Sequence, residues 1–295
     1  MIPISEKYVN PFTDFGFKKL FGEEPNKDLL IDFLNSLIPD QTIKNLTYHR
    51  VDRQGLTPDF RKPIFDLYCE NEEGEKFIVE IQKVKQNYFK DRSLFYSTFP
   101  IQEQAVAGVT WDFKLKAVYF IGILDFVFDD KDKDKAIVTE VKLLDTKSNK
   151  VFYDKLTFIY LQIPNFNKTE MELETHFEKW LFVFRYLQKL QERPKVLQEK
   201  VFEKLFKIAE IAKFDYAKRM DYEEEINAFR DMKNSVDTAL DDGIEIGKVK
   251  GSNKRALEIA KEMILENEPV DKIIKYTKLT KLQIENLIIE LKSSK

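Results

Sequence analysis

Pro63-Ile-Phe-Asp-Leu-Tyr-Cys-Glu-Asn-Glu-Glu-Gly-Glu-Lys-Phe-Ile-Val-Glu-Ile-Gln-Lys83 holds two short apolar runs, 63–69 and 76–82, around the turn-rich Asn71-Glu-Glu-Gly-Glu75. Such runs with a glycine-containing turn between them predict a β-hairpin. Side chains alternate across a strand, so Ile64, Asp66 and Tyr68 share one face, and Ile78, Glu80 and Gln82 share one face of the next. Asp66 and Glu80 are therefore acids inside otherwise apolar strands. Burying a carboxylate alone is costly, and neighbouring strands lie only about 4.8 Å apart, so the pair calls for a counter-charge, a shared proton or a metal. Magnesium suits two carboxylates plus waters and a phosphate oxygen. It can polarise a phosphate and acidify a bound water, the chemistry of phosphodiester hydrolysis. A plainer reading places either acid on a solvent face, or pairs it with Lys83, Lys85 or Arg92. Alternation alone does not separate the two.

Working outward, Thr13 and Asp14 can cap a helix over 15–21, and a second helix from Pro25 carries Leu29, Leu30, Phe33, Leu34 and Leu37 on one face until Pro39. Residues 42–50 read as a strand of mixed exposure, followed by a polar loop through Gly55 and Pro58. Beyond the hairpin, 87–107 is helical and 116–124 is a continuous apolar run, as in a strand buried on both faces. The order is α, β, β, β, α, β, with further strands at 136–144 and 151–163. From about Lys168 the pattern turns helical: Leu173, Phe177, Trp180, Leu181, Phe184 and Leu187 recur at helical spacing, and helices are predicted over 194–214 and 216–239. Asp241 to Gly251 reads as a hinge or exposed connector. The last stretch, 256–265, 270–276 and a helix opened by Thr280-Lys-Leu-Gln283, fits a helix-turn-helix or an ordinary helical hairpin.

Composition bounds the function. One cysteine, Cys69, excludes an internal disulfide and a multi-cysteine zinc cage, and two histidines exclude histidine-rich metal sites. Cys69 is expected in the core, and His176, among glutamates, at the surface. The start of the chain lacks a signal-like pattern and no apolar stretch nears the roughly 20 residues that span a bilayer, so a cytoplasmic location is expected. A net charge of −3 provides no global basic field, and any nucleic-acid surface must be local. No phosphate-cradling glycine loop is present.

Asp66, thirteen intervening residues and Glu80-Ile-Gln82, within that element order, resemble the PD-(D/E)XK nuclease signature of one acid on a strand and acid-x-lysine on the next. More narrowly, Thr13-Asp-Phe-Gly-Phe-Lys-Lys-Leu-Phe-Gly22, Ile64-Phe-Asp-Leu-Tyr-Cys-Glu70, Phe77-Ile-Val-Glu-Ile-Gln-Lys83, Tyr88-Phe-Lys-Asp-Arg-Ser-Leu-Phe-Tyr-Ser97 and Ile121-Gly-Ile-Leu-Asp-Phe126 resemble the bacterial Rpn family of recombination-promoting nucleases and transposases. The blocks span roughly the first 130 residues; the helical tail matches only in general character. The resemblance implies an α/β restriction-endonuclease-like αβββαβ core with a mixed central sheet over 1–165, a helical extension packed on it over 166–240, a connector at 241–251 and a small helical module over 252–295.

The resemblance also implies Asp66 and Glu80 as metal ligands, the Ile81 carbonyl as a third, and Gln82 at the lysine position, where an amide offers hydrogen bonds but no positive charge. Lys83 points to the opposite face of a regular strand. Asp14 is either a supporting acid or a helix-start charge. Lys83, Lys85, Lys90 and Arg92, interleaved with Tyr88 and Phe89, either grip phosphates beside stacking rings or form a solvated helix face. Gln102 and Gln104 either line the cleft or are surface amides. The expected activity is a DNA endonuclease using Mg²⁺, or another divalent cation such as Mn²⁺ or Ca²⁺, with weak sequence preference and no membrane partner. A homodimer would supply the second active site that a double-strand cut requires. The alternative is a weak or inactive nuclease fold serving as a nucleic-acid- or partner-binding module.

Overall fold

The computed structural model describes residues 6–49, 65–105, 114–128 and 135–293. By its contacts the chain divides into residues 1–226 and residues 227–295. In the first unit, α1 (Asp14–Phe17), α2 (Lys27–Leu37), β1 (Leu46–Tyr48), β2 (Leu67–Asn71), β3 (Lys76–Gln82), α3 (Phe89–Glu103), β4 (Val118–Leu124), β5 (Val138–Asp145), β6 (Lys150–Gln162), α4 (His176–Tyr186) and α5 (Lys200–Ala209) follow in order. The six strands make one mixed sheet, β1-β2-β3-β4-β6-β5. β2 and β3 are the antiparallel hairpin, β3 and β4 pair in parallel, and Glu80 lies opposite Gly122. The α/β αβββαβ class is the one read from the sequence.

Alternation sorts the sheet's side chains into two cores. Cys69, Phe77, Val79, Ile121, Ile123 and Ile159 face α1, α2, α4 and α5. There Phe33 stands 5.7 Å from Trp180 and 5.2 Å from Phe184 between ring centres, contacts worth about 1 kcal/mol each beyond the area they bury. On the other face Tyr68, Ile78, Phe120 and Tyr160 meet Phe89 of α3. α3 can lie close to the sheet because its buried positions include Ser93 and Ser97, small residues that bond their own helix carbonyls. At Gly122 an added Cβ would come within 3.2 Å of Tyr160 and 3.3 Å of Phe89. The missing side chain is where Phe89 seats. Gly122→Val should therefore push α3 outward at a cost of about 1–3 kcal/mol, read as a lowered urea midpoint with unchanged slope.

Several elements differ from their predicted bounds. α1 ends at Phe17 and gives way to a π-helical turn, Lys18–Gly22, although Thr13 does cap it by accepting from Gly16 N–H. The strand of 42–50 shrinks to Leu46–Tyr48, because the Asn35 amide binds both the N–H and the C=O of Ile43 and ties that segment to α2. The hairpin's first strand begins at Leu67, since the backbone N–H of Asp66 goes to the Glu80 carboxylate instead of a strand partner. Pro63, Ile64, Gly55, Pro58 and the predicted tail of α3 at 106–107 lie outside the described residues. His176 is not a free surface residue: it pairs with Asp32, 2.5 Å away, and its ring lies against Phe202.

At 241–251, expected as a hinge or exposed connector, it is the hinge that is corrected: helix α6 runs Tyr216–Leu265, through this exposed stretch and into the helix expected at 256–265. Gly243, Gly247 and Gly251 adopt no positive φ there. A helical glycine costs about 1 kcal/mol but does not by itself end a helix. The end comes at Asn267, with φ +59, followed by Pro269, the left-handed residue and helix breaker that stop a helix. In the second unit the end of α6 packs with α7 (Val270–Thr277) and α8 (Lys281–Ser293) around Ala260, Ile273, Leu279, Ile284 and Leu287. Thr280 and Gln283 form the reciprocal cap read from the sequence. Among the described residues no helix is long and apolar enough to cross a membrane.

Candidate active site

Asp66 enters β2 as Glu80 leaves the middle of β3, and the two hold each other through the backbone. The Asp66 N–H donates to Glu80 Oε1 at 3.1 Å, and the Ile81 N–H donates to Asp66 Oδ2 at 2.8 Å. The acids therefore converge on one edge between the strands. Glu80 is 4% exposed. Burial, the Asp66 carboxylate and more distantly Asp14 push the Glu80 carboxyl up to about 8, against the Asp66 N–H and Arg92. Burial first, then Asp14, push Asp66 up to about 6, against the Ile81 N–H, Lys18 and Arg92. The protons belong to the pair. At neutral pH the pair therefore keeps a proton, because its neighbours do not offset two adjacent buried anions.

Among the described residues no hydrogen-bonded cation relieves the pair: the cation beside it is Arg92, whose Nη2 lies 3.8 Å from Glu80 Oε2, too long for a hydrogen bond. Arg92 spends its donors elsewhere, Nη2 on Gln82 Oε1 at 2.6 Å and Nη1 on Gln86 Oε1 at 2.7 Å. Gln82 is thereby pinned, with its own amide donating to the Val84 carbonyl at 2.9 Å. Arg92, expected as a phosphate contact, a solvated residue or a partner of the acids, is instead hydrogen-bonded to Gln82, a contact not foreseen from the sequence. Its only signal was spacing, a strand residue and a residue in the first turn of the next helix.

The remaining candidates scatter. Asp14, in the first turn of α1, is bridged to Lys18 at 2.7 Å and lines with Asp66 a cleft of about 710 Å³. Its backbone N–H and that of Phe15 donate to Glu225 of α6, at 2.5 and 2.8 Å. Glu225, Asp221 and Lys218 line the same cleft and went unread, because nothing in the spacing links residues 150 positions apart. Lys83 is one of the cations opposing the burial that raises the Asp125 carboxyl, with Arg185 and Lys189. Lys90 sits 4.7 Å over the Phe128 ring. Lys85 and Gln102 are exposed. Gln104 joins the end of α3 to the chain before β4, accepting from Lys116 N–H at 2.7 Å and donating to the Pro100 carbonyl at 3.1 Å. Cys69 is buried and its thiol is pushed up to about 12 by that burial, which keeps it inert.

Set against protein-family models, residues 11–239 match that of the PD-(D/E)XK nuclease family transposases. The chain belongs to this family. No curated protein and no solved structure matches it. Members of the PD-(D/E)XK superfamily use divalent metals. Among the described residues of this one, no group of three or more His, Cys, Asp or Glu gathers as a metal cage. The donor set nevertheless fits a hard cation: two convergent buried carboxyls, whose joint ionisation a bound cation would favour, and a backbone carbonyl on the strand between them. In an extended strand one residue's N–H and C=O leave by the same edge, so the Ile81 carbonyl projects toward the side where its N–H meets Asp66.

Proposed function

We propose that this PD-(D/E)XK family protein is a DNA endonuclease dependent on Mg²⁺ or a similar divalent cation. The observation that carries the reading is the mutual clasp of Asp66 and Glu80, buried side by side with no hydrogen-bonded cation among the described residues. In this reading Asp66, Glu80 and the Ile81 carbonyl hold the metal, which when bound supplies Lewis acidity and a water of lowered pKa. Asp14 adds negative charge from the neighbouring cleft. The chain's own residues do the rest. The clasp fixes both carboxylates without rotamer freedom, and Gln82, locked at both ends of its amide, keeps the β3 terminus rigid beside the phosphate.

DNA is gripped beyond the site, where Gln86, Asn87, Tyr88, Asp91, Arg92 and Phe95 line a second cavity of about 610 Å³. Tyr88 is 75% exposed, a ring free to lie against a sugar or base. Lys83, Lys85 and Lys90 supply phosphate contacts, Gln102 a polar one, and no base-reading element accompanies them, so sequence preference is weak. Cutting both strands calls for two copies. The resemblance to the Rpn family supports a role in recombination or mobile-element transfer in a bacterial cytoplasm, with residues 1–165 as the cutting domain and 252–295 as an accessory module. A non-catalytic binding role is favoured by one observation, that Gln82 brings no charge to the site and both its amide oxygen and its amide nitrogen are already hydrogen-bonded. Nicking of supercoiled plasmid with and without Mg²⁺ separates the two: metal-dependent conversion to open circles supports the nuclease, and none at any divalent cation supports the binder.

A further inference from the structure

We infer that Arg92 is the cation of the site, carried in on α3 to replace the lysine that β3 lacks. This rests on the endonuclease reading. Hydrolysis of a phosphodiester forms a bond from the water oxygen to phosphorus as that water gives up a proton to solvent, breaks the bond to the leaving oxygen, which takes up a proton from solvent, and adds negative charge to the phosphate oxygens on the way. A fixed positive charge there lowers the barrier; Gln82, at the lysine position, is neutral, and the cation in contact with it is Arg92.

Arg92 is built for the task. Its guanidinium touches Gln82, the residue at the lysine position, at 2.6 Å, and approaches Glu80 to 3.8 Å. Its other partner, Gln86, is also a neutral amide, so no carboxylate in hydrogen-bond contact spends its charge. Arg92 also lines the cavity of Tyr88 and Phe95, so one planar fork spans the carboxylate pair and the surface proposed for DNA. The group lies 5.0 Å from the Phe89 ring centre and 5.7 Å from that of Tyr96, a stacked setting that holds its plane.

The fold anchors the helix on both sides of it. Phe89, three residues before, seats on Gly122, the residue opposite Glu80, and Ser93, one after, bonds Tyr160 at 2.6 Å. Glu80, Gly122 and Tyr160 form a single row across β3, β4 and β6. The row that carries the acid thus also fixes the base of the arginine.

The test compares wild type, Arg92→Met, Arg92→Lys and the double variant Gln82→Lys/Arg92→Met, which returns a lysine to the strand. Plasmid nicking kinetics are read beside binding of a labelled DNA duplex in EDTA and thermal melting. Arg92→Met, which keeps the apolar stem over the rings, should lower kcat about 100-fold, well beyond the roughly tenfold or smaller weakening of KM and metal-free duplex binding expected from losing one charge on the DNA surface. Arg92→Lys and the double variant should each regain at least about tenfold. Wild-type kcat in Arg92→Met overturns the inference, as does a loss carried wholly by KM and duplex binding. A folded double variant no faster than Arg92→Met overturns it too. If Arg92→Met melts early, the double variant decides against wild type. A wild type that nicks nothing sinks the endonuclease reading itself, whereas an active wild type with an unaffected Arg92→Met sinks this inference alone.

Discussion

Asp66→Ala should abolish metal-dependent nicking, slowing it by about 10³-fold or more, since a metal's support of a phosphoryl transition state is worth several kcal/mol and each ~1.4 kcal/mol is a factor of ten. Alanine also removes the acceptor of the Ile81 N–H, a loss of about 1–3 kcal/mol in stability if that donor stays buried and unpaired. Asp66→Asn separates the effects: its amide oxygen still accepts from Ile81, while the charge that holds the cation is gone. Both variants should be inactive, and only the alanine protein should melt early. Activity surviving in Asp66→Asn would show that this carboxylate's charge is dispensable and that the cation, if there is one, is held elsewhere.

Glu80→Gln should stabilise the protein at alkaline pH. Both acids keep in the folded state protons that the unfolded chain gives up near pH 4. The folded state therefore binds more protons across that window, and the stability from this pair is whole below pH 4 and is lost as pH rises past about 6 and about 8. At pH 9 the wild type pays for two adjacent buried anions, and the neutral amide, of nearly the same shape, pays for one. A gain on the order of 2 kcal/mol, or several degrees in Tm, is expected at pH 9, shrinking toward zero at pH 5. Adding Mg²⁺ at pH 9 should reverse the ranking by raising the wild-type Tm alone. A Glu80→Gln protein less stable than wild type at both pH values would mean that the carboxylate is satisfied as it stands.

What could be read in the sequence is what repeats locally. The β2–β3 hairpin, the apolar β4 run and the face of α2 follow from periodicities of two and 3.6, and the convergence of Asp66 with Glu80 follows from alternation plus pairing. Elements failed where a distant or polar contact overruled the local pattern. Asn35 shortened β1 by capturing Ile43, and Glu80 took the N–H that would have started β2 sooner. Asp32 drew His176 in from the surface through a contact 144 residues apart. The glycines at 243, 247 and 251 looked like a hinge because glycine marks breaks on average, yet a break needs a left-handed residue or a proline, and those stand at Asn267 and Pro269. Arg92 was visible as a basic residue near the site, but its direction was not. That is set by Gly122 and Tyr160, which position α3 through tertiary packing.

The most direct test of the account is anomalous diffraction from crystals soaked in Mn²⁺ near pH 8.5, where the pair is ionised. A single strong peak within about 2.0–2.4 Å of a carboxylate oxygen of both Asp66 and Glu80 is the expected result. Full-occupancy Mn²⁺ bound elsewhere, with the Asp66–Glu80 clasp unchanged and no peak beside it, would contradict it.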